Sequence, residues 1–144
     1  MSKQSKLDQQ LCFEVYKASS NFAKLYAHTL KPFNLTFTQY LVLLALWEED
    51  YLFVKDIGLV LGLGIGTLNP IIGRMLERGW LEKQQSEKDK RAFIISLTEK
   101  AKSAEKPIER AIIEKITSCN FVDIDAVTLM ANLKSLNAVL GQLD

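Results

Sequence analysis

The chain has 144 residues, 48% hydrophobic and 24% charged, with seven glycines and three prolines; this excludes low complexity and is consistent with one folding unit over 1–144. A formal net charge of +1 excludes a uniformly basic nucleic-acid binder, so any DNA surface has to be local. No apolar run approaches the roughly 20 residues of a membrane span, and the polar start Met1 to Gln10 lacks a signal core, so a cytoplasmic protein without membrane contact is expected.

From Leu7, apolar residues recur as Leu11, Val15, Ala18, Phe22 and Leu25, the spacing of one helical stripe, which predicts a first helix over about 7–31 ended by Pro32 and Asn34. Thr36 with Gln39 three residues on has the spacing of a capping box, and the run Tyr40 to Trp47 is apolar all round, which predicts a central buried helix. Val54 to Leu61 reads as a short third helix. The glycines Gly62, Gly64 and Gly66 interrupt it before a fourth, with Leu68, Ile72, Met75 and Leu76 on one face and Gly79 as its C-terminal cap. Two helices joined by a glycine-bearing turn form the unit that presents its second helix to a DNA groove.

After Gly79 the period changes to alternation, which predicts a hairpin of Trp80 to Gln85 and Arg91 to Leu97 whose polar tip, Ser86 to Lys90, forms a wing. Thr98 then caps a fifth helix that Pro107 is expected to kink or break. Asp123 or Asp125 starts a sixth, carrying Ile124, Val127, Met130, Leu133, Leu136, Leu140 and Leu143 at helical spacing. The expected fold class is therefore mainly α with a small β-hairpin: a winged helix-turn-helix over about 36–98 between terminal helices at about 7–31 and 99–143. Apolar stripes on both terminal helices exceed what so small a centre covers, so they are expected to form a homodimer.

The exposed face of the fourth helix would carry Ile65, Thr67, Asn69, Pro70, Gly73 and Arg74, and the wing carries Lys88, Lys90 and Arg91. Hydroxyl, amide and guanidinium groups can bond base edges or phosphates, and arginine suits the negative potential of a minor groove. Each feature alone also fits an ordinary solvated surface; their order along the chain points to double-stranded DNA as partner.

The segments Leu35-Thr36-Phe37-Thr38-Gln39-Tyr40, Gly66-Thr67-Leu68-Asn69-Pro70, Glu87-Lys88-Asp89-Lys90-Arg91 and Ile95-Ser96-Leu97-Thr98-Glu99 resemble successive landmarks of the MarR family of transcriptional regulators. Gln10-Leu11-Cys12-Phe13 with Tyr16, Ala18-Ser19-Ser20 and Tyr26 is similar to the organic-hydroperoxide-sensing, OhrR-like branch. The resemblance implies an obligate dimer that represses genes by setting two recognition helices in successive major grooves of a pseudo-palindromic operator, with Arg91 of each wing at the minor groove. It also implies that an oxidant acts on the Cys12 thiol, that two tyrosines of the partner subunit activate it, and that Tyr26 matches the first of them. Phe37 stands where the second would be, and Gly64-Ile65 stands where the branch usually carries Asp-Ser. Phenylalanine cannot donate to a thiolate, and isoleucine cannot replace a hydroxyl donor, so slower oxidation and a changed DNA preference are expected.

Taken without the resemblance, Cys12 reads as one more small apolar packing residue, as most cytosolic cysteines are. Tyr16, four residues on, shares its helical face and could bond the sulfur. Cys119 is open between a resolving thiol and a half-buried structural one. A thiol peroxidase would need an arginine or threonine beside the thiol, which the neighbourhood of Cys12 does not clearly supply. The single His28 gives no metal site, and no lysine of the phosphate-loop pattern follows the glycines, so no cofactor and no enzyme activity are expected. A winged-helix module that answers a small ligand, or acts through protein contacts, is the alternative.

Overall fold

The computed structural model describes residues 5–7, 9–119 and 121–143. In chain order the elements are α1 (Leu11–Leu30), a 3-10 turn (Lys31–Phe33), α2 (Phe37–Glu48), β1 (Leu52–Phe53), α3 (Val54–Leu61), α4 (Ile65–Glu77), β2 (Leu81–Gln85), β3 (Phe93–Leu97), α5 (Glu99–Ser118) and α6 (Ala126–Leu140). The polar stretch Met1 to Gln4 lies outside the described residues. Among those residues no single helix is long and apolar enough to cross a membrane. Two compact units, Met1–Ile112 and Ile113–Asp144, divide within α5.

In the first unit α2 is the central element. Its capping box forms as the spacing predicts: the Gln39 N–H donates to Thr36 Oγ1 at 3.2 Å and the Thr36 N–H donates to Gln39 Oε1 at 3.1 Å. That satisfies two backbone donors at a part-buried helix start. Val42, Leu43 and Leu46 of α2 are then packed out of solvent with Leu30, Ile57, Leu68, Met75, Ile95 and Ile108. The Trp47 indole N–H donates to the Ala101 carbonyl at 3.1 Å, fixing the start of α5 against this core.

Helices α3 and α4 meet at 114°, within the range of a helix-turn-helix. Gly62, left-handed at φ 70°, ends α3. Gly58 is required for a different reason: a Cβ there would stand 2.7 Å from the Leu63 carbonyl oxygen, a backbone atom held by the turn's own Leu63 N–H to Gly58 carbonyl bond. Gly58→Ala is expected to lower stability by about 1–3 kcal/mol through overpacking. A thermal melt checks this, and an unchanged midpoint would mean that the turn yields freely.

At its far end α4 closes on Gly79 (φ 79°): the Trp80 N–H donates to the Met75 carbonyl and the Gly79 N–H to the Leu76 carbonyl. This is the paired pattern of a Schellman cap. Thr98 locks α5 to the same corner, its hydroxyl donating to the Gly79 carbonyl at 2.7 Å and accepting from the Ala101 N–H at 3.2 Å.

The structure corrects four sequence expectations. The hairpin is part of a three-stranded antiparallel sheet, β1-β3-β2, with Leu52 opposite Ile95 and Leu81 opposite Leu97. A two-residue strand has no alternation to detect. Helix α1 starts at Leu11 rather than Leu7, because Gln10 is extended and Leu7 lies in a turn that accepts the Gln10 N–H. Pro107 neither ends nor divides α5, which runs unbroken to Ser118. The carbonyl four residues back that loses its donor belongs to Ser103, which is exposed, so water can satisfy it. Finally α6 ends at Leu140, so Leu143 lies beyond it, and of the two candidate starts Asp125 is the cap.

In the second unit that cap is well formed. The Asp125 carboxylate accepts from the Thr128 hydroxyl at 2.7 Å and from the Val127 and Thr128 N–H groups. The Thr128 hydroxyl and N–H hold it below the usual carboxylate range. No residue of α6 is buried, and Val127, Met130, Leu133 and Leu140 are exposed along it. Helix α1 likewise leaves Leu11, Val15, Tyr16 and Phe22 exposed.

Candidate nucleic-acid interface and thiol site

Helix α4 buries Leu68, Ile72 and Met75 against the core and turns Ile65, Thr67, Asn69, Pro70 and Arg74 to solvent. The side chains of Thr67, Asn69 and Arg74 make no hydrogen bond or ion pair among the described residues, so their polar ends remain available to an external partner. Pro70 sits inside α4 without ending it.

The wing is ordered by its own polar groups. The buried Ser86 hydroxyl accepts from the Lys88 and Asp89 N–H groups at 3.3 and 3.4 Å, and the Gln85 amide donates to the Lys90 carbonyl at 2.7 Å. The Asp89 carboxylate accepts from the Arg91 N–H at 3.0 Å, and its carbonyl accepts from Ala92. The three cationic residues Lys88, Lys90 and Arg91 are thereby carried on a loop tied by its own hydrogen bonds, with the Arg91 side chain 98% exposed. Between wing and α4 lies a cleft of about 1000 Å³ lined by Ile65, Asn69, Gly73, Lys88 and Arg91, with Lys55 and Lys83 added.

Four cationic side chains in that cleft face two carboxylates, Asp56 and Asp89, so a chain of near-zero net charge concentrates positive charge here. Lys55 and Lys83 escape a reading of the sequence because each is a single lysine at the start of α3 or within β2; only the fold brings them to the wing. Ser86 and Asp89 were legible as part of a polar tip and Gln85 as the end of the strand before it, but not as the groups that shape the wing.

The thiol candidates fall in two places. Cys12, one residue into α1, is exposed, in the first turn where the helix dipole favours negative charge. Tyr16 is exposed one turn on, and among the described residues no hydrogen bond joins it to Cys12. Tyr26 and Phe37 come together, ring centroids 5.0 Å apart, with Tyr40 stacked on Tyr26 at 5.7 Å. Burial pushes the Tyr26 hydroxyl pKa up, so it is a protonated donor at neutral pH. Cys119, half-buried just past α5, donates its S–H to the Lys115 carbonyl at 3.5 Å.

Residues 24–108 match the family model of the SarA/Rot transcriptional regulators. Over essentially its whole length, 99%, the chain is 34% identical to the HTH-type transcriptional regulator MgrA of Staphylococcus aureus, of which it covers 93%. The chain belongs to the MarR-type winged-helix transcriptional regulators. Over 94 residues this regulator is 46% identical to the organic hydroperoxide resistance transcriptional regulator of Bacillus subtilis; the match covers 65% of the chain and 64%, just under two thirds, of that relative. Among solved structures, AbfR of Staphylococcus epidermidis, reduced and bound to DNA, superposes with a TM-score of 0.80 at 33% identity, covering 96% of this chain and 94% of that one. Disulfide-formed AbfR superposes at 0.72 and 33%, covering 95% and 94%. The relatives are regulators, not enzymes.

Proposed function

We propose that this regulator binds a pseudo-palindromic DNA operator as a homodimer in the cytoplasm, represses transcription there, and loses affinity when organic hydroperoxide oxidises Cys12. The observation that carries the DNA part is the unpartnered polar face of α4 beside a pre-shaped cationic wing. Thr67, Asn69, Pro70 and Arg74 then meet the major groove, and Lys88, Lys90 and Arg91 the backbone and minor groove. The exposed apolar faces of α1 and α6 supply the dimer contact.

Helix geometry supports a shared sensor. Cys12 and Tyr26 lie 14 residues apart on one continuous helix, which separates them by roughly 21 Å. A Tyr26 hydroxyl can therefore meet a Cys12 sulfur only from a second copy. In that arrangement the thiolate attacks the terminal peroxide oxygen; the O–O bond breaks, the alcohol leaves with a proton, and Cys12 becomes a sulfenic acid. A relative named for organic hydroperoxide resistance, and another solved both reduced on DNA and as a disulfide, agree with this chemistry.

A gel shift with DNA upstream of the protein's own gene, at two salt concentrations and with and without cumene hydroperoxide, tests the whole reading. Affinity should fall steeply with salt and again with oxidant; binding insensitive to salt would not be phosphate recognition. Non-reducing mass spectrometry of the oxidised protein assigns Cys119: a Cys12 to Cys119 disulfide, formed with loss of water from the sulfenic acid, makes it the resolving thiol. A small-thiol adduct on Cys12 leaves it structural.

Phe37 packs on Tyr26 as a tyrosine would but supplies no donor. Phe37→Tyr is expected to speed Cys12 oxidation about tenfold, the size of one hydrogen bond to a charged group. Stopped-flow kinetics under excess hydroperoxide measure it, and an unchanged rate would place the second donor elsewhere.

A further inference from the structure

We infer that Ile65 is a base-reading residue that recognises the C5 methyl group of a thymine in each operator half-site; this rests on the proposed entry of α4 into the major groove. Ile65 is the first residue of α4 and is 53% exposed, on the face it shares with the exposed polar Asn69 and with Gly73, four and eight residues on. The first turn of a helix in the groove is the part that reaches base edges.

The surroundings of Ile65 distinguish it from an ordinary exposed aliphatic residue. Gly64 and Gly66 flank it, and a Cβ added at either, or at Gly73, would meet nothing within 4 Å. None of the three has the positive φ that favours glycine. Glycine weakens a helix interior, so Gly73 is unfavourable for α4, and among the described residues nothing requires either it or Gly66. Close approach of an external surface to the α4 backbone does. Ile65 is then the one side chain among three successive positions, an apolar branch standing clear of its neighbours.

Of the groups that base pairs present in the major groove, only the thymine methyl is apolar. Ile65 has no donor or acceptor for any of the others. Thr67 and Asn69 on the same helix serve those, so the segment combines one apolar reader with two polar ones.

The test removes the methyl group alone. An operator is selected from random duplexes with the wild-type dimer, and each thymine is replaced singly by deoxyuridine. One thymine per half-site is expected at which the replacement weakens binding about fourfold, the value of burying one methyl-sized group. In Ile65→Ser that penalty disappears, in Ile65→Val it persists, and in Thr67→Ser it is unchanged. Ile65 is exposed, so thermal midpoints of these variants should match the wild type. No uracil-sensitive position, or a penalty that survives in Ile65→Ser, overturns the inference while leaving DNA binding intact; a dimer that selects no duplex overturns the DNA reading beneath it.

Discussion

A Cys12→Ser regulator is expected to bind its operator as tightly as the reduced wild type and to stay bound through hydroperoxide treatment that releases the wild type. The first half follows from where the sulfur lies. Within its own chain Cys12 is exposed and makes no hydrogen bond among the described residues, and in the proposed dimer a serine oxygen can accept from the Tyr26 hydroxyl of the second copy as the sulfur would, so the replacement forfeits little. The second half follows from chemistry: a serine hydroxyl is not oxidised by a peroxide. Oxidant can lower affinity only by as much as the modified thiol prefers the dimer geometry that does not fit DNA. A hundredfold release therefore asks for about 2.7 kcal/mol of preference, which one new polar group in a closed apolar interface can supply. Fluorescence anisotropy on labelled operator, before and after cumene hydroperoxide, reads both halves. Release of the serine variant would place the sensor elsewhere, with Cys119 the next thiol to test.

How much of this was legible in the sequence depended on the range of the interactions. The α2 capping box and the Gly79 cap were legible because three- to five-residue spacing determines them, and the structure forms both. The hairpin was legible from alternation, but not that β3 is the central strand. Leu52 and Phe53 join it from some forty residues away, which no local period encodes. Pro107 reads locally as a breaker, yet one lost bond facing solvent does not outweigh the helix on both sides of it. In the candidate interface the same division holds. Thr67, Asn69, Arg74 and the wing cations could be named from spacing, whereas Lys55 and Lys83 reach the cleft only by tertiary placement. Phe37 was legible as a missing donor, but its contact with Tyr26 joins α1 to α2 and needed coordinates.

Arg91→Ala is expected to weaken operator binding between ten- and a hundredfold and to flatten the salt dependence by up to about two units of log–log slope, one for each wing of the dimer. Its guanidinium is nearly fully exposed and pairs, among the described residues, with the Asp89 carboxylate alone at 4.0 Å, too weak a surface pair to compete with a nucleic-acid groove. Little has to be broken before it binds. The backbone beneath it, by contrast, is held by Asp89, Ser86 and Gln85, so the ordering of the loop precedes DNA contact and does not subtract from affinity. Ser86→Ala should therefore weaken binding less than Arg91→Ala does, by about two- to fivefold, because it loosens the loop while leaving the charge in place. If Ser86 acts by presenting Arg91, its effect should vanish in the Arg91→Ala background, since there is no longer a side chain to present. Equal effects of Ser86→Ala in both backgrounds would show that the wing's shape matters to DNA through its backbone or lysines instead, and a double-mutant cycle on operator affinity separates the two.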